Sequence, residues 1–430
     1  MEKVVIIGSG VAGLGAAWTL RESADVTVIE SASHVGGHAD TVDVRTPDGI
    51  VPVDMGFIVY NELTYPHMIR LFDELDVPSV ESEMSFAFSS PGFEYSGTAS
   101  GLFGGANWLR PDSYRLLRAI LRFRDVARSH LGDERTIGEF VTDLGFPDVF
   151  RDRYLLPMAA AIWSSPHLDA AEIPAGTLLR FFDQHVLLDI TGRPTWRTVA
   201  GGSREYVQRL MAASGARFVT DTPVESVRRS GKSVVVSTER GDQIEADQVV
   251  FACHADTALA LLGDDASPSE EKLLGAFAFS NNHAVMHSDP RLMPKARRTW
   301  SAWNVTEGRH RGAPVTVTYW MNRLQSLATD TDVFVTLNPP FEPESIHRRA
   351  DYTHPVFDPG AVAAQVRLSE IQGVDNTWFC GAWTGYGFHE DGLESGMAVG
   401  RAMGGDVPWW DEVSPHSQSA RITESIGVPA

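Results

Sequence analysis

Hydrophobic and polar positions change their spacing several times along the chain, and each change predicts an element. Residues 4–7 and 25–29 are short apolar runs typical of buried strands, and residues 14–20 between them are compatible with a helix. The stretch 65–77 repeats apolar residues three and four positions apart, which predicts another helix. The chain therefore begins strand, helix, strand and continues with helical segments.

The later part of the chain is richer in strands. Residues 216–238 alternate between apolar and polar positions, and 246–256 contains an apolar run that ends in a turn. Two further strand patterns cover 277–288 and 313–322, and a glycine-rich turn and helix follow an apolar run in 379–400. Strands that alternate with helices predict an α/β fold.

Composition narrows the class of protein. The chain has 430 residues, a formal net charge of -20 and two cysteines, Cys253 and Cys380. Clustered positive charge is what nucleic-acid binding uses, so a nucleic-acid partner is not expected. Two cysteines cannot build a disulfide framework, and the histidines lack metal-ligand spacing, so no metal is expected. With no signal-peptide pattern and no apolar run of about 18 residues, we expect a cytoplasmic location without a membrane span. The oligomeric state is left open.

The most informative segment lies between the first strand and the first helix. Gly8, Gly10 and Gly13 follow the strand without a gap, and Val11 and Ala12 stand between them at the helix start. Such a turn lets a pyrophosphate approach the backbone, while the helix N-terminus offers free N–H groups. Glu30 ends the next strand, where its carboxylate can accept hydrogen bonds from a ribose. These features together predict a Rossmann-like dinucleotide site.

A second glycine turn identifies the dinucleotide by resemblance. Gly36, Gly37 and His38 follow Glu30, and an apolar strand then ends in the stretch 54–57. This arrangement resembles the flavin-containing amine oxidase and phytoene desaturase superfamily, in which a paired-glycine loop runs along the FAD pyrophosphate. The resemblance implies FAD as the cofactor. Many members carry arginine where this chain has His38, so a direct charge on the phosphates is not assured.

The same resemblance assigns the C-terminal turn. In this superfamily such a strand, glycine turn and helix close over the flavin, so residues 379–400 should face it, with a helix beginning near Gly392. Relatives have an acid just after the glycine where this chain has Ala382 and Trp383, and His389 or Asp391 is expected to replace that contact. The residues expected at the cofactor are Gly8, Gly10, Val11, Ala12, Gly13, Glu30, Ser31, Gly36, Gly37, His38, Asp54, Met55, Gly56, Phe57, Val224, Cys253, Gly381, Ala382, Trp383, Glu390, Asp391 and Gly392.

Several stretches narrow the resemblance further. FFDQHVLLDITGRPTWRTVAGGSREYVQRL, MHSDPRLMPKARRTWSAWN and HPVFDPG resemble a bacterial group of NAD/FAD-binding oxidoreductases associated with cyclopropane-fatty-acyl-synthase-like methyltransferases. The resemblance runs from residue 1 to about residue 405. It implies an aliphatic substrate, such as a fatty acyl chain, whose hydride passes to the flavin. An amine oxidase, a redox-neutral double-bond isomerase and a non-enzymatic escort protein of the same fold are the alternatives.

The predicted organisation is a discontinuous two-domain protein. A Rossmann-like FAD-binding domain of the amine-oxidase type takes residues 1–60, 198–265 and 365–405. A mixed α+β substrate domain takes residues 61–197 and 266–364. Residues 406–430 form a C-terminal tail.

Four side chains are candidate catalytic bases: His389, Glu390 and Asp391 in the C-terminal turn, and His185 in the central segment. Relatives flank the equivalent of His185 with asparagine and glycine, whereas this chain has Gln184 and Val186. For His389 the alternative is a structural hydrogen bond, and for Glu390 a cofactor or cap contact. Six aromatic residues could wall an apolar pocket or belong to ordinary core: Trp163, Trp196, Trp300, Trp303, Tyr319 and Trp320.

One helical stretch carries an unusual number of arginines for an acidic chain. In SYRLLRAILRFRDVARSHL the residues Leu116, Ile120, Phe123 and Ala127 form an apolar stripe, and five arginines occupy other positions. The arginines could contact anionic lipid headgroups at a membrane surface. The alternative is a core helix with a solvated basic face.

Overall fold

The structure, a computed structural model, describes residues 1–97, 99–163, 169–189, 192, 194–231, 233–307, 315–415 and 418–423. Its strands are β1 (Glu2–Ile7), β2 (Ala24–Ile29), β3 (Thr41–Thr46), β4 (Gly49–Asp54), β5 (Tyr60–Asn61), β6 (Ser79–Glu81), β7 (Phe86–Ser90), β8 (Phe93–Ser96), β9 (Trp196–Val199), β10 (Arg217–Val219), β11 (Val224–Ser230), β12 (Ser233–Thr238), β13 (Gln243–Ala246), β14 (Gln248–Phe251), β15 (Ala278–His287), β16 (Trp303–Glu307), β17 (Val315–Trp320), β18 (Phe334–Leu337), β19 (Ile346–Val356) and β20 (Thr377–Phe379).

Helices connect these strands. A π-helical turn at Arg151–Leu155 joins the helix that ends at Phe150 to the helix that begins at Leu156. The α-helices are α1 (Val11–Thr19), α2 (Pro66–Glu74), α3 (Ala99–Leu102), α4 (Pro111–Ala127), α5 (Ile137–Asp143), α6 (Asp148–Phe150), α7 (Leu156–Trp163), α8 (Ala175–Gln184), α9 (Arg204–Ser214), α10 (Ala255–Leu262), α11 (Pro268–Leu274), α12 (Met321–Leu324), α13 (Pro359–Gln365) and α14 (His389–Ala402). Within the described ranges, every helix is too short or too polar to cross a bilayer.

A parallel sheet of five strands organises one half of the molecule. Its order is β10-β2-β1-β14-β20, so strands from the beginning, middle and end of the chain lie side by side. The nearly continuous apolar runs in β1 and β14 suit a sheet that is covered on both faces. Helix α1 packs against α14 over this sheet. The α/β class predicted from the sequence is confirmed.

A larger mixed sheet organises the other half. Its order is β19-β15-β18-β17-β16-β7-β8, and its pairs are antiparallel except for β16 with β7. The sheet packs on the helical segment from α4 to α8 through a second hydrophobic core. Smaller sheets pair β11-β12-β13, β3-β4 and β5-β9-β6.

Two hydrophobic cores divide the chain differently from the predicted segments. Side chains of the β3-β4 hairpin, including Val44 and Val53, belong to the core beneath the seven-stranded sheet. Conversely, Met68 and Phe72 of α2 belong to the core around the parallel sheet. In the same core, the ring centroid of Trp409 in the C-terminal tail lies 5.3 Å from that of Trp18. The tail therefore contributes to the core, while the domain boundaries themselves stay a prediction.

Candidate active site

A cavity of about 840 Å³ lies between the two large sheets. One wall is formed where β1, β14 and β20 end, and it includes Gly8, Ala252 and Gly381. The opposite wall comes from the seven-stranded sheet and includes Phe86 and Leu337. The carboxyl ends of parallel strands are where ligands bind in open α/β sheets.

The glycines of the first turn have separate structural reasons. Gly8 has a φ of +104°, and a Cβ there would meet the Ala252 carbonyl oxygen at 2.7 Å. A Cβ on Gly13 would lie 2.0 Å from the Gly8 carbonyl oxygen, so that position permits the helix to pack on the strand. A Cβ on Gly10 would meet nothing within 4 Å, because Gly10 faces the cavity at the start of α1.

Glu30 lies beside this turn and is already held by it. Its Oε2 accepts hydrogen bonds from the backbone N–H of Ser9 at 2.9 Å and from the Ser9 hydroxyl at 2.6 Å. Its Oε1 accepts from the backbone N–H of Ala32 at 2.9 Å and from the Ser31 hydroxyl at 3.2 Å. Both Glu30 and Ser31 line the cavity. The carboxylate is thus fixed in place at the end of β2 by neighbouring donors.

The second glycine turn packs directly on the first. Gly37 has a φ of +58°, and a Cβ there would lie 3.1 Å from the Gly10 Cα. The Gly36 N–H donates to the Ser9 carbonyl oxygen. A Cβ on Gly56 would lie 2.2 Å from the His38 carbonyl oxygen, which also accepts the Phe57 N–H at 2.8 Å. Gly37, His38, Met55, Gly56 and Phe57 all line the cavity.

The C-terminal turn closes another side of the cavity. Gly381, Ala382 and Trp383 line it, and the Trp383 Nε1 donates to the Cys253 carbonyl oxygen at 3.0 Å. A Cβ on Gly381 would lie 2.4 Å from that indole nitrogen, which explains why glycine precedes the tryptophan by two positions. Burial raises the pKa of the Cys253 thiol to about 12, so this cavity-lining group is a neutral thiol at neutral pH.

His389 is the first residue of α14 and lines the cavity. Its Nε2 lies 2.8 Å from the Tyr206 hydroxyl, and its ring stacks on Phe57 with centroids 3.9 Å apart. Burial lowers the pKa of His389 to about 3, so the imidazole is neutral at neutral pH. A ring this weakly basic is a poor proton acceptor at neutral pH, and its contacts with Tyr206 and Phe57 favour a positioning role.

His185 lines the same cavity from the C-terminal end of α8. Its Nδ1 lies 2.9 Å from the Phe181 carbonyl oxygen, and its ring stacks on the Phe181 ring with centroids 3.8 Å apart. Its ring is also 5.6 Å from that of Phe388 in the C-terminal turn. The structure therefore brings the two histidine candidates, His185 and His389, to one cavity from distant parts of the chain.

Beyond the glycine turns the cavity continues as an apolar arm. We define the arm by its lining side chains from the segment just before β7, the π-helical turn, α7 and the seven-stranded sheet, which are Met84, Phe86, Tyr154, Met158, Ile162, Trp303, Tyr319 and Leu337. Trp196 also lines the cavity, whereas Trp300 and Trp320 pack elsewhere, beside Phe334 of the seven-stranded sheet. The Trp163 side chain lies outside the described residues.

Comparison with known proteins identifies the family. The profile of the family described as flavin containing amine oxidoreductase matches residues 11–281, more than half of the chain. This chain belongs to that family. The family's description supports the flavin cofactor, FAD, that the sequence predicted.

Curated relatives are distant and longer. This chain is 26% identical over 288 residues to a Mycobacterium tuberculosis protein named as a flavin-containing monoamine oxidase, AofH, covering 63% of this chain and 61% of the relative. It is 25% identical over 273 residues to the horse flavin-containing amine oxidase A, covering 59% of this chain and 49% of the relative. The chain thus spans about half to three fifths of the length of these relatives.

Solved structures share the fold across nearly the whole chain. A Brevibacterium oxydans cyclohexylamine oxidase matches with a TM-score of 0.68 and 16% identity, covering 94% of this chain and 98% of the other. A fatty acid isomerase from P. acnes that produces CLA matches with a TM-score of 0.67 and 15% identity, covering 93% and 97%. At this identity the likeness establishes the fold.

The cavity residues fit FAD. The open space over Gly10 at the start of α1 suits a pyrophosphate, which the free N–H groups of the helix would hold. The fixed Glu30 carboxylate suits the adenosine ribose. The turn from Gly381 to Trp383 and the ring of His389 would then face the remainder of the cofactor.

Seven predicted site residues lie away from the cavity lining, and four of them are Asp54, Val224, Gly13 and Gly36. Asp54 is buried, and its carboxylate accepts hydrogen bonds from Thr41, Ser203 and Gln325, so it ties β4 to the start of α9. Val224 begins β11, and Gly13 and Gly36 support the backbone of the turns. These residues shape the site from behind, and a direct cofactor contact from Asp54 or Val224 does not follow from the geometry.

Helix α14 begins three residues earlier than predicted, and this moves Glu390, Asp391 and Gly392 into its buried first turn. The Glu390 carboxylate accepts the backbone N–H groups of His67 at 2.7 Å and Met68 at 3.0 Å. Burial, and then the charge of Glu394, hold the pKa of Glu390 well above its usual range. Glu390 therefore anchors α2 to α14, and its assignment as a catalytic base stays a prediction. Asp391 caps the helix by accepting the Phe388 N–H.

Cavity residues that the sequence reasoning missed come from two places. His254 follows β14 closely, and the rule that ligands meet the carboxyl ends of parallel strands could have found it. His354 and Tyr352 belong to β19, and no local motif points to them. The rings of Tyr352 and His354 lie 5.0 Å and 5.5 Å from the His38 ring. Burial, and then the positive charge that His354 can carry, lower the pKa of His38 to about 3.

Proposed function

We propose that this flavoprotein removes a hydride from an uncharged aliphatic chain, such as a fatty acyl chain, that lies in the apolar arm. Bound FAD supplies the hydride acceptor. The chain's own residues hold the substrate, exclude water and orient the reacting carbon. Two hydrogens leave the substrate, one as the hydride and one as a proton, and the product is a desaturated or otherwise oxidised chain.

The absence of charge along the arm carries this proposal. Among the described residues that line the whole cavity there is no lysine, arginine or aspartate, and the one glutamate is Glu30 at the glycine turn. A carboxylate or ammonium group in the arm would lose its hydration without gaining a counter-ion, which costs several kcal/mol. Methylene groups instead gain roughly 0.8 kcal/mol each on burial. The arm thus favours an uncharged chain.

The two cavity histidines support this chemistry in different ways. His389 is neutral, and its contacts with Tyr206 and Phe57 hold its ring in a fixed orientation beside the C-terminal turn. His185 lies between Phe181 and Phe388, where it can receive the proton that leaves the substrate. We therefore assign positioning to His389 and proton acceptance to His185 within the proposal.

Amine oxidation is the second candidate, because the family description and the names of the curated relatives refer to amines. A neutral amine on an aliphatic group would suit an arm that contains Tyr154, Trp303 and Tyr319. It would give an aldehyde or ketone after hydrolysis of the imine. The uncharged arm accommodates the neutral form of such an amine and disfavours its protonated form.

The products distinguish these candidates. The purified yellow protein is incubated with bacterial acyl lipids and, separately, with alkyl amines of matched chain length, and products are identified by mass spectrometry. The proposal expects lipid products that have lost two hydrogens. Carbonyl products from amines alone would move the assignment to amine oxidation, and lipid products of unchanged mass with a shifted double bond would identify an isomerase.

A further inference from the structure

The surface outside the second core has an exposed apolar and basic face that the cavity does not use. We name it the α4 outer face and define it by Trp108, Leu109, Arg110, Tyr114, Arg115, Arg118, Leu121 and Arg122. Its apolar members are well exposed: Trp108 by 58%, Leu109 by 66%, Tyr114 by 50% and Leu121 by 39%. Large side chains with such exposure usually occur singly on a soluble protein, whereas these four are close together in the chain.

Helical geometry places these residues on one side of α4. The opposite stripe, with Leu116, Ala119, Phe123 and Ala127, is buried in the core, which accounts for the amphipathic pattern seen in the sequence. Tyr114, Arg118 and Leu121 follow each other at helical spacing on the outward side. Trp108 and Leu109 end a 3-10 helix that only Arg110 separates from α4, and the Tyr114 hydroxyl donates to the Trp108 carbonyl oxygen at 2.9 Å. The 3-10 helix and α4 therefore form one continuous surface.

The charge of this surface is opposite to that of the molecule. The chain has a formal net charge of -20, yet the α4 outer face contains four arginines. Among the described residues, Arg110 and Arg118 form no ion pair, and Arg122 donates to the carbonyl oxygens of Leu144 and Gly145. Arg115 shares Asp112 with Arg153 at 3.5 Å and 3.6 Å. Asp125 is the exposed acid at the far end of the face.

The remaining arginines of the stretch are engaged elsewhere. Arg128 pairs with Asp183 and Asp189, and Arg124 donates to the Leu188 carbonyl oxygen. These contacts hold α4 against the end of α8, so their charges serve the fold. The unpaired positive charge is thereby concentrated near the N-terminal half of α4, beside the exposed Trp108 and Leu109.

Aromatic packing connects this face with the apolar arm. On the inner side of α4, the ring of Phe123 lies 5.2 Å from that of Phe150, which in turn stacks 5.5 Å from Tyr154. Tyr154 lines the cavity together with Met158 and Ile162. One helical layer therefore separates the α4 outer face from the part of the cavity that we assign to the substrate.

We propose that the α4 outer face binds the surface of a bilayer that contains anionic lipids. Trp108, Leu109, Tyr114 and Leu121 enter the interface between headgroups and acyl chains, and Arg110, Arg115, Arg118 and Arg122 contact the headgroup phosphates. Charge complementarity selects this partner, because arginines are attracted to an anionic surface and amphipathic aromatic side chains favour the interface. Binding at this face holds for any substrate, so it can be tested separately from the proposed function.

Vesicle flotation tests the proposal with the full-length, FAD-loaded protein. Vesicles of phosphatidylcholine alone are compared with vesicles of phosphatidylcholine mixed with phosphatidylglycerol, at low and raised salt. We expect binding to the mixed vesicles at low salt, weaker binding at raised salt and little binding to phosphatidylcholine alone. Arg110→Glu with Arg118→Glu should weaken binding roughly tenfold or more, and Leu109→Ser roughly threefold to tenfold.

Matched control variants distinguish vesicle binding at this face from a general effect of net charge or of losing an exposed leucine. Arg45→Glu with Arg217→Glu makes the same change in net charge at exposed positions on β3 and β10, and Leu63→Ser removes an equally exposed leucine. Both controls should bind mixed vesicles like the wild type and remain yellow, as should the test variants. Equal loss in the controls, unchanged binding of Arg110→Glu with Arg118→Glu, or failure of the wild type to float would each overturn the proposal.

Discussion

The glycine turns and the apolar arm are two ends of one cavity, but different parts of the sequence determine them. At the N-terminal turns, most close contacts join residues within about twenty positions, as in the contact of Gly13 with Gly8 or of Gly56 with His38, and Gly8 also meets Ala252 at the end of the neighbouring strand. The arm collects side chains from segments that are separated by dozens of residues and joined by the seven-stranded sheet. A local motif therefore specifies the cofactor end, whereas tertiary packing specifies the substrate end.

The largest effect should come from the glycine that supports the turn without touching the cavity. Gly13→Ala places a Cβ 2.0 Å from the Gly8 carbonyl oxygen, so the strand and α1 cannot pack together as they do. We expect a loss of more than about 3 kcal/mol in the free energy of unfolding and a colourless protein. Chemical denaturation and flavin absorbance measure both quantities.

Gly10→Ala is the matched control at the same turn. A Cβ at Gly10 has open space and an ordinary backbone conformation, so folding should change by less than about 1 kcal/mol. FAD affinity should nevertheless fall at least roughly tenfold, because the methyl group occupies the approach of the pyrophosphate. Equal unfolding free energies for the two variants would contradict the separation between a packing glycine and a cavity glycine.

Asp54 ties β4 to the start of α9. Replacing its carboxylate should lower the free energy of unfolding by less than Gly13→Ala does. In Asp54→Asn the new amide N–H₂ faces the Gln325 side-chain amide, which cannot turn over without losing its bond to the Asp54 N–H. We expect a loss of roughly 1 to 3 kcal/mol in the free energy of unfolding, with FAD still bound. Asp43→Asn, which breaks the exposed ion pair with Arg204, should cost less than about 1 kcal/mol.

Acid should destabilise the cavity through its neutral histidines. Burial lowers the pKa values of His38 and His389 to about 3, below the ordinary 6.5, so between these values the unfolded chain binds more protons. Stability is therefore complete above about pH 6.5 and falls as the pH decreases, by roughly 1 to 2 kcal/mol for each ring by about pH 5. Asp54 opposes this loss, since burial raises its pKa to about 6.

Thermal unfolding of the wild type and of His389→Asn at about pH 7 and about pH 5 checks this prediction. The variant should lose less stability than the wild type over that interval, because one of the proton-accepting groups of the unfolded chain is gone. An equal loss in both proteins would show that His389 does not contribute to the acid sensitivity.

At the arm, a single charge should affect turnover more than folding. Met158→Lys places an ammonium group among apolar side chains and should slow flavin reduction by an aliphatic substrate roughly tenfold, while the oxidised flavin spectrum stays unchanged. Met158→Leu keeps the volume and polarity and should react within about threefold of the wild type. Stopped-flow absorbance under anaerobic conditions measures both rates. Equal rates for the two variants would place the substrate elsewhere.

The sequence predicted the cofactor end because its signals are local. The positions of Gly8, Gly10, Gly13 and Glu30 follow from two strands with one turn and one helix between them, and each lies where the motif requires. The stretch from Asp54 to Phe57 was harder, because the strand pattern does not show at which residue the chain turns toward the cavity. Met55 and Phe57 reach the cavity lining, whereas Asp54 turns to Thr41 and Ser203.

Local sequence patterns did not predict where α14 begins or which residues form the far wall of the cavity. The glycines before and inside α14 suggested a longer turn, but the cap formed by Asp391 lets the helix begin at His389. His354 and Tyr352 reach the cavity because β19 pairs with β15, which precedes it by about sixty residues. Such contacts depend on strand pairing that no local pattern records.

An anaerobic titration of the purified yellow protein with acyl lipids, monitored at the oxidised-flavin absorbance band, tests the central claim most directly. If an uncharged aliphatic chain is the substrate, the band bleaches with lipids in the wild type and in Met158→Leu, and bleaches slowly in Met158→Lys. Bleaching by amines alone, with no response to any acyl lipid, would contradict the account.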